Sequence, residues 1–68
     1  MKVRRIRPGI YTVTTAGRTF YLARLDRWWY VCEVVPMSRD STKLVDVCNG
    51  STKKRTLAAL DEWLEGGN

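Results

Sequence analysis

The sequence predicts an α+β fold: one antiparallel β-sheet of three to four strands in meander order, with one C-terminal α-helix packed on one face. Runs rich in β-branched and aromatic residues, separated by two-residue turn signals, predict the sheet. Leucines at helical spacing near the C-terminus predict the helix. The length of 68 residues, of which 44% are apolar, allows one small hydrophobic core and a single domain covering residues 1–68.

The predicted meander covers residues 9–48. Its strands are, in order, GIYTVTT, RTFYLARL, WWYVCEVV and the shorter KLVDVC, with the segment PMSRDST as a loop before the last. The first two turns contain two residues each, Ala16-Gly17 and Asp26-Arg27. In the last strand, Val45 and Val47 are expected to face the core.

The register that these turns impose sorts the side chains onto two faces of the sheet. The face that we expect under the helix is continuously apolar in its middle and carries Tyr11, Val13, Phe20, Leu22, Trp29, Val31 and Val35. The opposite face, called the open face below, has a band of threonines and carries Ile10, Thr12, Thr14, Thr19, Tyr21, Ala23, Leu25, Trp28, Tyr30, Cys32 and Val34.

The segment STKKRTLAALDEWLEGG predicts a helix over residues 51–65. Ser51 or Thr52 is expected as the N-cap, and Gly66-Gly67 as the stop. The apolar stripe of the helix consists of Leu57, Leu60 and Leu64, with Thr56 and Trp63 on its flanks.

The charges of this helix oppose the dipole of its backbone. The first turn carries Lys53, Lys54 and Arg55, and the last turns carry Asp61, Glu62 and Glu65, although the dipole favours the reverse order. Two compensations remain open. The basic turn and the free N–H groups of the helix start bind a phosphate, or Asp40 or Asp46 pairs with the basic turn while the N-terminal arginines cover the acidic end.

Residues 1–8 are predicted to form a basic arm that contains Lys2, Arg4, Arg5 and Arg7. Residues 1–36 hold seven basic and two acidic side chains, whereas residues 37–68 hold five of each, so the excess behind the net charge of +5 lies in the N-terminal half. A short arginine-rich arm is typical of nucleic-acid-binding proteins. A solvated N-terminus without a ligand is the alternative.

Aromatic side chains also point to a binding surface. The open face displays Tyr21, Trp28 and Tyr30 close together, bordered by Arg27. Exposed aromatics beside cations stack on the bases of single strands and RNA, and they also occupy the centres of protein interfaces. Since adjacent strand residues point to opposite faces, Trp28 and Trp29 cannot both lie under the helix.

The stretch from Gly9 to Leu64 resembles the AP2-like domains, including the arm-binding domains of phage-type integrases. The likeness rests on RTFYLARLDRWWYVCEVV and on STKKRTLAALDEWL. It implies a three-stranded sheet set into the DNA major groove, with Tyr21, Arg27, Trp28 and Tyr30 at the DNA and with Arg4, Arg5 and Arg7 following the backbone or a minor groove. The predicted fourth strand, the loop before it and the few basic side chains on the open face depart from that pattern. The compact basic chain also resembles many small phage accessory proteins.

Enzymatic chemistry is the least supported class of function. The chain has no histidine, no glycine-rich phosphate loop and no set of four metal ligands, and its two cysteines, Cys32 and Cys48, are expected to be reduced and buried. Neither a cofactor nor a metal is expected. Because no apolar leader and no segment of membrane-spanning length is visible, a cytoplasmic location away from membranes is expected.

Together these patterns predict a small non-enzymatic nucleic-acid-binding protein, with DNA expected more than RNA. The predicted contact residues are Arg4, Arg5, Arg7, Tyr21, Arg27, Trp28, Tyr30, Lys53, Lys54 and Arg55. The alternative is a protein–protein interaction module, that is, an inhibitor, an adaptor or a homodimer. Such a module would bury the aromatic sheet face against an acidic protein surface or a second copy of the chain.

Overall fold

The computed structural model describes residues 1–66, which form one open antiparallel sheet of five strands and one α-helix. The strands lie in chain order across the sheet: β1 (Lys2–Arg7), β2 (Ile10–Thr15), β3 (Arg18–Leu25), β4 (Trp28–Ser38) and β5 (Ser41–Gly50), followed by the helix α1 (Lys53–Glu65). The α+β class, the meander order and the C-terminal helix are therefore confirmed. The predicted number of strands, three to four, is wrong.

The strand that the sequence analysis missed is β1, which occupies most of the predicted basic arm. It pairs antiparallel with β2, and Arg4 lies opposite Thr12. Pro8 and Gly9 form the turn between them, and Gly9 has a φ of 81°, which glycine adopts without steric cost. All six residues of β1 are exposed. Charged side chains suit such an edge strand because they oppose the pairing of a further strand.

The central register of the sheet is confirmed. Val13 pairs with Phe20, and Leu22 pairs with Val31. Ala16 and Asp26 adopt φ values of 52° and 63°, the left-handed conformation that two-residue hairpin turns require. Because a slip of one residue would exchange the two faces of the sheet, this agreement also fixes which side chains share a face.

The last two strands are longer than expected. Residues 36–42, predicted as a loop, belong mostly to β4 and β5, since Pro36 pairs with Thr42. A shift in the pairing of the two strands falls between Val31 and Cys32, so that one extra residue of β5 is accommodated there. Val47 contacts the core as expected, but Val45 is 39% exposed and lies outside it.

The hydrophobic core lies between the sheet and the helix. Val13, Phe20, Leu22 and Val31 from the three central strands and Leu60 from α1 are each at most 1% exposed. All four strand residues belong to the face that was expected under the helix, so this expectation is confirmed. The partly buried members of the helical stripe are Leu57, Trp63 and Leu64.

The start of α1 is fixed against the end of β5. Thr52 is the N-cap, and its hydroxyl oxygen accepts a hydrogen bond from the Arg55 N–H at 3.1 Å. Thr56 is fully buried, and its hydroxyl donates to the Thr52 carbonyl oxygen at 2.6 Å. A Cβ atom on Gly50 would lie 2.5 Å from the Thr56 hydroxyl oxygen and 3.2 Å from the Thr56 backbone nitrogen. Gly50 is therefore needed where strand and helix meet.

The C-terminal end of α1 is closed by Gly66, whose N–H donates to the Glu62 carbonyl oxygen at 2.9 Å. This residue is the first of the two glycines that were expected to stop the helix. Gly67, the second, lies outside the described residues.

An ion pair between Arg18 and Glu33 lies at the edge of the core. The Arg18 guanidinium donates to both carboxylate oxygens of Glu33, from Nε at 2.7 Å and from Nη2 at 2.6 Å. Hydrogen bonding to Arg18 is the main cause that lowers the pKa of the Glu33 carboxyl. The pair links β3 to β4 at the edge of the core face.

We predict that Gly50→Ala destabilises the protein by about 1–3 kcal/mol, because the new methyl group overlaps the first turn of α1. Chemical denaturation in urea measures the change. Ser51→Ala, at the exposed neighbouring position, is the matched control and is expected to change little. Equal stability of the Gly50→Ala variant and the parent protein would contradict the contact.

We also predict that Glu33→Gln lowers the melting temperature at neutral pH and that this difference shrinks in acid. Since the pKa of Glu33 is lowered by folding, its stabilising effect is complete above the unfolded pKa of about 4.3 and is lost as the pH falls through the folded pKa. Thermal unfolding followed by circular dichroism at several pH values measures the effect. Asp40→Asn, in the exposed β4–β5 turn, is the control; a difference that persists undiminished in strong acid would refute the prediction.

Candidate nucleic-acid interface

The open face of the sheet presents three large aromatic side chains to solvent. Tyr21 is 38% exposed, Trp28 is 42% exposed and Tyr30 is 44% exposed. Tyr21 pairs with Cys32 and Tyr30 with Ala23, so the two tyrosines are diagonal neighbours on β3 and β4. The sequence-based assignment of these aromatics to the side opposite the helix therefore agrees with the strand pairing.

Trp28 is held in place by a neighbouring strand. Its indole Nε1–H donates to Oδ1 of Asn49 on β5 at 3.1 Å. Tyr30 lies opposite the same asparagine in the register of β4 and β5. The bond keeps an aromatic ring exposed on the open face without leaving its polar atom unpaired.

The cations of β1 are divided between the two faces. Arg4 lies opposite Thr12 and therefore on the open face, in one row with Tyr21. Lys2, which was not among the predicted contact residues, shares this face because it lies opposite Thr14. Arg5 lies opposite Tyr11 and points to the helix side. The three N-terminal arginines therefore do not form a single surface.

A groove of about 490 Å³ crosses the open face. It receives residues from all five strands and is lined by Ile6, Arg7, Ile10, Tyr21, Ala23, Cys32 and Leu44. Ala23 and Cys32 are the small side chains on the central strands, and the larger side chains stand around them. Because residues of both edge strands line one groove, the open face is concave.

The β5 side of the groove is acidic. Asp46 lies opposite Cys32 in the register of β4 and β5. Burial, and then the negative charge of Asp46, raise the pKa of the Cys32 thiol. Cations thus lie along β1 at one side of the open face, and a carboxylate lies near its other side.

The two cysteines are free thiols on different sides of the sheet, and each is only half-buried, not buried as expected. Cys32 lines the groove of the open face. Cys48 contacts the core beneath α1, and its thiol lies 3.8 Å from the Thr56 carbonyl oxygen. Burial raises the pKa of the Cys48 thiol as well.

The basic start of α1 is compensated by an aromatic ring of the sheet. The Lys53 ammonium nitrogen lies 4.1 Å from the centre of the Tyr11 ring, a cation–π contact. Within residues 1–66, no salt bridge joins Asp40 or Asp46 to this turn, so the structure does not contain the carboxylate pairing that was one of the two alternatives. Lys54 and Arg55 are exposed on the helix, which packs on the side of the sheet opposite the open face.

A cation from the sheet lies beside the acidic end of α1. The Arg18 guanidinium carbon is 4.9 Å from the centre of the Trp63 ring, in the last turns of the helix. This is the end where the dipole favours positive charge. In the part of the chain that the structure describes, no salt bridge connects Arg4, Arg5 or Arg7 to the acidic residues of α1, so that expectation is also wrong.

The groove was missed, although Ile10, Tyr21, Ala23 and Cys32 had been assigned to the open face, because one of its sides is formed by β1. Ile6 could be placed on the open face only after residues 2–7 were recognised as a strand. The signal was present in Pro8-Gly9, a dipeptide typical of turns, before a strand. The high charge of the segment favoured an arm instead.

Within residues 1–66, no group of three or more side chains of metal-binding type comes together. No helix in this range combines the length and the apolar character needed to cross a membrane.

We predict that Lys54→Gln raises the melting temperature slightly and that Lys53→Gln does not. Each change removes a cation from the unfavourable end of the helix dipole, an effect of about 0.3–1 kcal/mol. Lys53→Gln also removes the contact with Tyr11, which contributes about 0.5–1 kcal/mol at an exposed site. Thermal unfolding of the two variants side by side measures the difference, and an equal gain in both would contradict a stabilising Lys53–Tyr11 contact.

No family model, no curated protein and no solved structure matches this chain.

Proposed function

We propose that the protein is a non-enzymatic nucleic-acid-binding protein and that the open face of its sheet is the binding surface. The observation that carries the proposal is the placement of exposed aromatics and cations on one face. Tyr21, Trp28 and Tyr30 share this face with Lys2 and Arg4. Aromatic rings stack on bases and cations contact phosphates, so the face offers both kinds of contact that a nucleic acid accepts.

The distribution of acidic residues supports the same face. Asp61, Glu62 and Glu65 lie exposed on α1, and α1 covers the opposite side of the sheet. A nucleic acid on the open face is therefore separated from these carboxylates by the thickness of the sheet. Asp46 is the acidic residue on the open face, and it lies on β5, away from the cations of β1.

The proposal uses fewer cations than the sequence predicted. Arg4 and Arg7 lie on the open face or its groove, and Arg27 is exposed in the turn next to Trp28. Arg5 and the three basic residues at the start of α1 are on the helix side. We assign the main phosphate contacts to Lys2, Arg4 and Arg7 of β1, and an outlying contact to Arg27 in the turn between β3 and β4.

We predict that replacing Arg4 and Arg7 together by glutamine weakens binding and flattens its salt dependence. Each lost phosphate contact lowers the slope of log affinity against log salt by about 0.7 on single strands and about 0.9 on duplex DNA. Fluorescence anisotropy with labelled DNA and RNA of arbitrary sequence, at several salt concentrations, measures both quantities.

Arg5→Gln is the matched control, because Arg5 belongs to the same strand but lies on its other face. We expect its effect on binding to be much smaller. A loss of affinity as large as that of the double variant would mean that the open face is not the binding surface. Absence of binding to every probe at low salt would reject the proposed function itself.

A protein–protein interaction module is the second candidate, and exposed aliphatic side chains favour it. Leu25 is 69% exposed, Leu44 is 58% exposed and Ile6 is 54% exposed. Large exposed apolar side chains mark a protein interface when they form one patch. Self-association in sedimentation experiments that is insensitive to salt, together with no affinity for nucleic acid, would identify this alternative as the correct one.

A further inference from the structure

We infer that the open face binds a single-stranded nucleic acid in preference to a duplex and seats one base in the groove over Ala23 and Cys32. This inference rests on the proposed function and specifies the ligand of the same face. It follows from the width, the curvature and the charge of that face.

The width of the sheet excludes insertion into a duplex. Adjacent strands lie about 4.8 Å apart, so the outer strands of a five-stranded sheet are separated by roughly 19 Å. The molecule measures 34 × 28 × 19 Å along its principal axes. The major groove of B-DNA is about 12 Å wide and the minor groove about 6 Å. The major groove admits an α-helix or a two-stranded ribbon, so this five-stranded sheet does not enter the groove of an undeformed duplex.

The curvature of the open face leads to the same conclusion. Its groove is lined by Ile6 and Arg7 of β1 and, at the opposite edge, by Leu44 of β5. A concave face can lie against the outside of a duplex, but only a base that is turned out of its stack can enter the groove at the centre of this face. Such a face can enclose a flexible strand whose bases are turned outward.

The groove has the lining that an unstacked base needs. Its volume of about 490 Å³ lies within the usual range of small-ligand sites. The small side chains of Ala23 and Cys32 leave space at the centre of the groove, and the ring of Tyr21 lies beside them. Ile10 and Leu44 complete an apolar lining, so the base is shielded from water while its sugar and phosphate remain outside.

The charges on the two edge strands determine on which side of the open face the phosphates of the bound strand lie. Arg4 and Arg7 on β1 attract phosphates, and Asp46 on β5 repels them. The phosphate backbone therefore follows β1, and the bases point across β2 toward Tyr21 and Tyr30. Two strand spacings, about 9.6 Å, separate β1 from β3.

The experiment compares single-stranded and duplex probes of about 12 nucleotides, as labelled DNA and as labelled RNA, by fluorescence anisotropy at near-physiological salt. We expect each single strand to bind at least tenfold more tightly than the matching duplex. Equal or tighter binding of the duplex would overturn the inference and leave the proposed function standing. No binding of any probe, even at low salt, would reject both.

A second measurement locates the base on the unmodified protein. Cys32 lines the groove and Cys48 lies under α1, so alkylation by N-ethylmaleimide reports on the two sides separately. Trypsin separates the two cysteines because Arg39 and Lys43 lie between them. We expect a saturating single strand to slow the alkylation of Cys32 at least fivefold and that of Cys48, which lies outside the groove but borders a pocket with Tyr30 and Asn49, much less. Unchanged alkylation of Cys32 in the saturated complex would overturn the placement in the groove.

A matched pair of variants tests whether nucleic-acid binding requires the open space at the centre of the groove. Ala23→Leu adds bulk at its centre, whereas Thr14→Leu places the same leucine side chain at an exposed position on the same face outside the groove lining. We expect Ala23→Leu to weaken single-strand binding about tenfold or more, since stacking contributes about 1–3 kcal/mol per base. Equal affinities of the two variants, both with the parent circular dichroism spectrum, would contradict a base bound in the groove.

Discussion

The packing of one helix against one face of the sheet is the constraint on which the rest of the structure depends. Leu60 contacts a cluster formed by Val13, Phe20, Leu22 and Val31, and no strand residue outside this face is fully buried in the described part of the chain. The orientation of the helix is set at its start, where Gly50 lets the buried Thr56 approach β5. Since there is one helix for two sheet faces, the second face remains available for binding.

Two cation–π contacts between the helix and the sheet lie at the ends of the helix where its charges oppose the dipole. Aromatic rings of the core margin accept the cations: Tyr11 contacts Lys53, and Trp63 contacts Arg18. These contacts use the helix side of the molecule. The contact with Tyr11 offsets the unfavourable position of Lys53, whereas Lys54 and Arg55 stay exposed at the helix start. The cations and aromatics that support the proposed function lie on the open face.

The edge strand β1 changes the character of the candidate site. As an arm, its basic residues would have acted together along a phosphate backbone. As a strand, it presents Lys2 and Arg4 on one face and Arg5 on the other, because successive side chains alternate. It also widens the sheet and supplies Ile6 and Arg7 to the groove. One strand thus determines the width, the curvature and the charge asymmetry on which the inferred single-strand site depends.

The sequence by itself determined the central register, the core face and the helix, because two-residue turns and apolar periodicity act locally. It narrowed the N-cap to Ser51 or Thr52, and the structure selects Thr52. It also placed Tyr21, Trp28 and Tyr30 on the open face. Only the tertiary structure showed that residues 2–7 form a strand. A charged edge strand is stabilised by pairing with β2 and not by the alternation of its own side chains. Three further features arise where segments that are distant in the sequence meet, and local spacing does not encode such contacts. They are the groove, the distribution of the arginines between the two faces, and the partners of Lys53 and Arg18.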